Sequence, residues 1–412
     1  MFFKVKTPEE VLEVLKGFGP VGIEEVFIGD ALNRIVGEEI VAEEDLPEFR
    51  RSTMDGYAVR ARDTFGATDT LPAFLEVVGE VTMGQAPTDT VTAGKAIRIS
   101  TGGMIPEGAD AVVMIEYVHL LDEKTIEVSR TVAPLENIIM PGDDLKKGTA
   151  VFVSGSVLRP QDIGLLAGLG VQSIQVYKRP QVAIISTGDE VIPIDRRPNP
   201  GQVRDINTHT LSAFCSQTGA VPIHFGLCKD NFSELREMVS RALEISDAVW
   251  ISGGSSVGVR DITLRVLESF DGAELLVHGI AISPGKPTII ARVGNKAVFG
   301  LPGHVASAMV VAEVFLSPYL YRLSGGVRTL EDNHHYLQAE LERNIESASG
   351  RDDYIRVKLS KRDGRFFAEP IFGKSGLIST LVDAHGLLKI GRNTEGLYKG
   401  QLVDIMLFKS FN

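Results

Sequence analysis

Between residues 181 and 325, apolar runs of strand length alternate with stretches of helical pattern, and this alternation constrains the fold more than any other feature of the chain. The runs QVAIIS, PIHFGL, DAVWIS, LLVHGIAIS and KAVFGL are separated by helical stretches at 207–217, 231–246, 261–269 and 304–323. Such alternation predicts a doubly wound α/β domain with a largely parallel sheet. In a sheet of that kind ligands bind beyond the carboxyl ends of the strands, near a topological switch point. The loops that follow the strands are therefore where the chemistry should sit.

The rest of the chain reads differently. Residues 7–17 predict a helix, with Thr7 as N-cap, Pro8 at the first helical position and Glu10 completing a capping box. A second short helix is expected around 30–36. From about 47 to 140 short β-like runs are punctuated by Gly, Pro and Asp, and 141–178 return to helical patterning, with Pro160 opening a helix. The β-rich stretch thus reads as a module inserted into a helical one. The tail has alternating segments at 354–359, 366–371 and 402–408, which predict a small barrel or sandwich. At 412 residues the chain exceeds one hydrophobic core. The division expected is a discontinuous helical domain (1–46 and 141–178), an inserted β-rich domain (47–140), an α/β domain (179–325) and a C-terminal β-barrel (326–412). The fold class is multidomain α/β plus β.

Composition excludes several functions. The net charge of −12 speaks against a nucleic-acid surface, which needs a basic stripe. The two cysteines, Cys215 and Cys228, offer no disulfide framework or zinc site and read as buried apolar thiols. No apolar stretch reaches the roughly 18 residues of a membrane span. The N-terminus lacks a signal-peptide pattern, so a cytoplasmic location is expected.

The loops after the strands are rich in Gly, Ser, Thr and Asp. They carry Asp189 and Glu190, then Asp230, then Ser252, Gly253, Gly254, Ser255, Ser256 and Gly258 with Asp261, then Pro284, Gly285 and Lys286, then Gly303 and His304. Backbone NH groups of 252–258 can form a nest for a phosphate or oxyanion. Carboxylates at 189, 190, 230 and 261 suit Mg²⁺, which prefers hard oxygen donors. Plainer readings stand beside these. Asp189 could cap a turn, Asp261 a helix, and His304 could be a polar residue at a helix start. Two further motifs lie in the β-rich module, around Asp55 and around Thr101, where turns between strands are the plainer reading.

Taken in order, the blocks STMDGYAV (52–59), STGGMIPEGADAVVM (100–114), GDDLKKG (142–148), LRPQDIGLLAGLG (158–170), VAIISTGDE (182–190), ISGGSSVGVRD (251–261), SPGKPT (283–288) and GLPG (300–303) closely resemble the molybdopterin molybdenumtransferase family, which includes the C-terminal enzymatic domain of gephyrin. The resemblance implies a homodimer of four-domain subunits. It implies a reaction in which molybdate and adenylylated molybdopterin give the molybdenum cofactor and AMP with a divalent cation, Mg²⁺. The site would lie between the α/β domain of one subunit and the β-rich domain of the other. By motif position, Asp55, Thr101, Asp144, Glu190, Asp230 and Asp261 match functional residues of the family. Arg351, Arg356 and Ser375 match fourth-domain positions of the active cleft. The molybdopterin adenylyltransferase of the same pathway is an implied partner.

The chain also departs from the family. Ile139, Met140, Gly279 and Ser283 stand where basic residues are common, and Val259 where an acidic residue is frequent. Val305 replaces the proline usual after the GLPG block. Lys286 remains, and Arg260, Arg351, Arg356 and Lys374 are the substitute cations the sequence offers. Two other functions are compatible with this pattern: adenylyltransferase activity, and a non-catalytic cofactor-binding or scaffold role.

Overall fold

The computed structural model of the chain describes residues 5–253, 257–327 and 335–408, and of residues 257–260 the backbone alone. Two compact units form. One comprises Met1–Gly37, Ser154–Arg159 and Ile174–Asn412, the other Glu38–Val153 and Pro160–Ser173.

In the first unit, α1 (Pro8–Leu15) begins with the expected capping box, in which Thr7 and Glu10 each satisfy the other's backbone NH. Its Val11 and Leu15 are buried. The helix expected over 30–36 is replaced by one 3-10 turn, Ile28–Asp30, followed by bridges of Ile35 with Val157 and of Val36 with Val176. Asn33 sits at φ 61°, a left-handed conformation that breaks a helical path. The apolar side chains of Ile35 and Val36 are buried from extended backbone instead.

The second unit is built on a six-stranded sheet. Its strands are β1 (Gly56–Val59), β2 (Ala73–Glu80), β3 (Lys95–Ile99), β4 (Ala111–Met114), β5 (Val118–Leu120) and β6 (Thr125–Val128), in the spatial order β4-β1-β3-β2-β6-β5. The helix α2 (Pro160–Gly168) starts at the expected proline. The preceding stretch, read as helical, instead forms turns and a short strand, Ala150–Phe152, paired antiparallel with Ile40–Val41.

The α/β sheet belongs to the first unit. Its strands are β7 (Gln181–Thr187), β8 (Val221–Cys228), β9 (Ala248–Ser252), β10 (Glu274–His278), β11 (Ile289–Val293) and β12 (Lys296–Leu301), ordered β8-β7-β9-β12-β11-β10. The first four are mutually parallel, while β11 runs antiparallel to both of its neighbours, β12 and β10. The helices are α3 (Asn207–Gln217), α4 (Phe232–Ile245), α5 (Val257–Glu268), α6 (Val305–Val311) and α7 (Ser317–Leu323), the last two joined by a π-helical turn, Ala312–Leu316. Trp250 and Phe299, fully buried on adjacent strands, anchor the core, and Tyr319 of α7 meets the Phe299 ring edge-on at 5.0 Å. Burial pushes both cysteine thiols up, to about 12. They are free and buried, as their apolar surroundings imply.

Two strand expectations need correction. The run LLVHGIAIS, read as one strand, divides at Gly279 (φ 97°): Glu274–His278 stays in this sheet, whereas Ile282–Ser283 pairs with the C-terminal barrel. The strand β11 was not expected. It forms a hairpin with β12 around Gly294-Asn295.

The C-terminal strands β13 (Tyr336–Leu341), β14 (Asp352–Arg362), β15 (Arg365–Pro370), β16 (Gly386–Ile390) and β17 (Leu402–Leu407) run β14-β15-β13-β17-β16, and β16 pairs back onto β14. A closed five-stranded barrel results, which leaves no free edge among these strands. The fold class is multidomain α/β plus β.

Candidate functional site

The carboxyl ends of the parallel strands lie side by side. Thr187 is opposite Cys228, Ser186 opposite Ser252, and Ser252 opposite Leu301. Because β8 lies on one side of β7 and β9 on the other, the switch point of the sheet falls between β7 and β9. A cavity of about 290 Å³ opens there, lined by residues that include Thr187, Glu190, Arg204, Asn207, Gly253 and His304.

Its floor is a hydrogen-bonded lattice. The Asn207 amide donates to Ser252 Oγ at 2.7 Å and to the Gly303 carbonyl at 2.9 Å, joining two strand ends to the start of α3. Buried Asp205 accepts from Ser186 Oγ and from the Thr208 NH, both at 3.0 Å. Gly253 must be glycine, because a Cβ there would lie 2.0 Å from Thr187 Oγ1 and 2.4 Å from the Thr187 carbonyl. That Thr187 hydroxyl is buried and has no partner among the described residues. An unpaired buried hydroxyl beside a cavity fits a ligand contact better than a packing role.

The carboxylates gather unevenly. Asp189 and Glu190 are exposed at the end of β7, and Asp189 accepts from the Asp230 NH at 3.4 Å. Burial holds the Asp230 carboxyl above the ordinary range, and the charges of Asp189 and Glu190 push it further. Asp230 Oδ1 is buried and has no partner among the described residues. Asp261 is exposed inside α5, four residues past its first residue, so it is not the cap of that helix. Among the described residues no three His, Cys, Asp or Glu side chains converge on one point as a preformed metal cage. The donor chemistry nevertheless suits Mg²⁺, which uses one or two carboxylates and fills its shell with water and phosphate.

A second cavity, of about 280 Å³, lies against the barrel and is lined by Ser283, Pro284, Arg356, Phe372 and Ser375 among others. Arg356 of β14 is buried, and its guanidinium donates to Thr380 Oγ1 at 2.6 Å and to the Gly373 carbonyl at 2.8 Å. Both partners are neutral, and no carboxylate pairs with it among the described residues. Burial lowers its proton affinity without removing its charge. The two cavities are linked by His304 Nδ1, 2.7 Å from Ser375 Oγ. His304 occupies the cap position of α6 by its backbone, but its side chain makes no cap bond.

Other expected site residues fall as follows. Gly285 packs against Ile282 and Val311, and Lys286 is exposed on the same turn. Arg351 is bound by Asp353 at 2.9 Å. Gly258 lies in α5. Gly254, Ser255 and Ser256 lie outside the described residues. In the second unit, Asp55 and Thr101 meet: the Asp55 carboxylate accepts from the Thr101 NH at 2.7 Å and its hydroxyl at 3.1 Å, and these bonds hold it below the ordinary range. Asp55 therefore ties its own turn to that of Thr101. Asp144 is exposed in a turn of the same unit.

Arg204, Asp205 and Asn207 went unnoticed in the sequence. The block GQVRDIN precedes a helix, and its Asp and Asn at a helix start were the available signal.

Family models match nearly the whole chain: "MoeA N-terminal region (domain I and II)" over residues 6–170, "Probable molybdopterin binding domain" over 183–322 and "MoeA C-terminal region (domain IV)" over 338–408. The molybdopterin molybdenumtransferase of Haemophilus influenzae is 33% identical over 391 residues, covering 94% of this chain and 95% of that protein. The Bacillus subtilis protein of the same name is 31% identical over 393 residues, covering 94% and 90%. Two crystal structures of molybdopterin biosynthesis MoeA protein from Pyrococcus horikoshii superpose with TM-scores of 0.85 and 0.84, at 36% and 32% identity, over 99% and 98% of this chain and 100% of each of theirs. With this identity carried along almost the full length of both partners, the chain belongs to the molybdopterin molybdenumtransferase (MoeA) family.

Proposed function

We propose that this chain inserts molybdenum into adenylylated molybdopterin, releasing AMP and forming the molybdenum cofactor. The observation that carries this reading is the pair of linked cavities, one at the switch point of the α/β sheet and one built around a buried, carboxylate-free guanidinium. The first suits a pterin nucleotide. Asn207 and Gly253 shape its floor, Thr187 Oγ1 offers a free polar atom, and Arg204 supplies a cation at its wall. Backbone NH groups within residues 252–258, the nest expected from the sequence, would hold a phosphate. The second suits a tetrahedral oxyanion, which Arg356 and the Ser375 hydroxyl would bind as molybdate.

Asp230 and Glu190, with Asp261, would hold Mg²⁺, and the cation would supply charge neutralisation at the phosphates when bound. Lys286, on the turn that also carries Pro284 and Gly285, would stabilise negative charge on the substrate, and Arg351 would steady the barrel side through Asp353. The residues themselves mainly orient the two substrates, and positioning and electrostatics account for the rate. Asp55, held by Thr101, and Asp144 complete the site from the second unit of a partner subunit in a homodimer. The four-domain division at residues 46, 140, 178 and 325, a cytoplasmic setting and delivery of substrate by the adenylyltransferase belong to the same reading. No helix among the described residues is long and apolar enough to cross a membrane.

The test is reconstitution. Purified chain, molybdate and adenylylated molybdopterin should activate a molybdenum-free apoenzyme. Failure to do so with intact substrate would remove the reading.

A further inference from the structure

The His304–Ser375 bond is chemically ambiguous in a useful way. A serine hydroxyl has one proton to donate. If His304 is cationic, Nδ1 carries a hydrogen and donates to Ser375 Oγ, and the hydroxyl proton is free to point at a ligand in the barrel-side cavity. If the imidazole is neutral with its hydrogen on Nε2, Nδ1 accepts, and Ser375 turns its proton toward the ring. The cavity then meets an anion with an oxygen lone pair in place of a donor.

The surroundings keep this geometry in place. The Ser375 carbonyl accepts from the Ala306 NH at 3.0 Å, so the loop bearing the hydroxyl is tied to the start of the helix bearing the histidine. His304 makes no cap bond that would compete for its ring. The charged groups sharing the first cavity with the ring are Glu190, Arg204 and Asp205. On the barrel side they are Arg356, which lines the second cavity, and Lys374, adjacent to Ser375 in the chain.

We propose that His304 is a positioning residue that, through Ser375, sets whether the barrel-side cavity donates a hydrogen bond to its oxyanion. This rests on the reading of that cavity as the molybdate site. It makes oxyanion affinity depend on the protonation state of the ring, and so on pH. Affinity is highest at the acidic end, where both the ring charge and the freed hydroxyl favour the anion.

Titration calorimetry of the full-length protein with molybdate, over about pH 6 to 8, tests this directly. Wild-type affinity should fall about fivefold across the window, the equivalent of one net hydrogen bond. In His304→Asn the side-chain amide donates to Ser375 Oγ at every pH, so its affinity should stay flat and near the tight limit. In Ser375→Ala only the ring-charge part remains, so its affinity should be near the weak limit with a shallower slope than that of wild type. Molybdate's own charge state is common to all three proteins and cancels in the comparison. If wild type and His304→Asn share one pH slope, or Ser375→Ala keeps the slope of wild type, the proposal is overturned while the cavity reading stands. If wild type binds no molybdate at any pH, the cavity reading fails and the proposal with it. Should His304→Asn misfold, the contrast between wild type and Ser375→Ala decides alone.

Discussion

Replacing Asp230 by asparagine should stabilise the ligand-free protein and at the same time weaken its response to divalent cations. In the folded chain the Asp230 carboxylate is partly buried, has one oxygen without a partner among the described residues, and faces the charges of Asp189 and Glu190. All three effects make its charged form costly. An amide of the same shape removes the charge and can donate toward Asp189. Because the group is only partly buried, the repulsion is screened by solvent, and the gain is below ~1 kcal/mol, or about 2 °C in melting temperature. The sign with pH follows from the direction of the shift. A carboxyl raised in the folded state destabilises that state above its folded pKa, where it is charged, and stops doing so once protonated. The advantage of Asp230→Asn is therefore present at neutral pH and lost as pH falls through the carboxylate range toward about 4. Thermal melts in chelator across this range measure it. Adding Mg²⁺ should then raise the wild-type melting temperature and leave the variant nearly unmoved. A variant that melts below wild type at neutral pH in chelator, or that gains as much from Mg²⁺, would refute the reasoning.

Other outcomes follow from the same geometry. Gly253→Ala drives a methyl group into backbone and hydroxyl atoms of Thr187 and should abolish AMP binding, read by equilibrium dialysis, with a drop in melting temperature. Asp261→Asn, on the exposed face of α5, should lower molybdenum insertion by more than about tenfold while changing stability by less than about 0.5 kcal/mol. Ser283→Lys places a second cation in the cavity of Arg356 and should tighten molybdate binding in a competition titration.

Elements whose pattern and punctuation agree were legible in the sequence. The capping box of α1, the start of α2 at Pro160 and the extent of α3 match their local signals, and the sheet strands from 181 to 278 alternate with helices as their apolar runs require. Tertiary context decided the rest. Ile35 and Val36 have the spacing of a helix but are held extended by partners more than a hundred residues away. The hairpin of β11 and β12 had a usable signal in Gly294-Asn295, a two-residue turn of the kind that joins antiparallel strands. The run across Gly279 divides because its second half is needed by the barrel, which no local pattern reveals. In the site, motif glycines and carboxylates were readable as such, whereas the pairing of Asp55 with Thr101 was not. The role of Asn207 depends on contacts with Ser252 and Gly303, and that of His304 on Ser375, 71 residues on. Neither contact has a signature in the sequence. The cations missing at 139, 279 and 283 left a question about charge, and two arginines, Arg204 and Arg356, line the cavities.

The central claim is that one chain couples oxyanion insertion to cleavage of the adenylate. Purified protein, adenylylated molybdopterin and Mg²⁺ should release AMP only when molybdate is added, with one AMP per molybdenum retained in the product. AMP release that ignores molybdate, or adenylylation of molybdopterin when ATP is supplied, would contradict it.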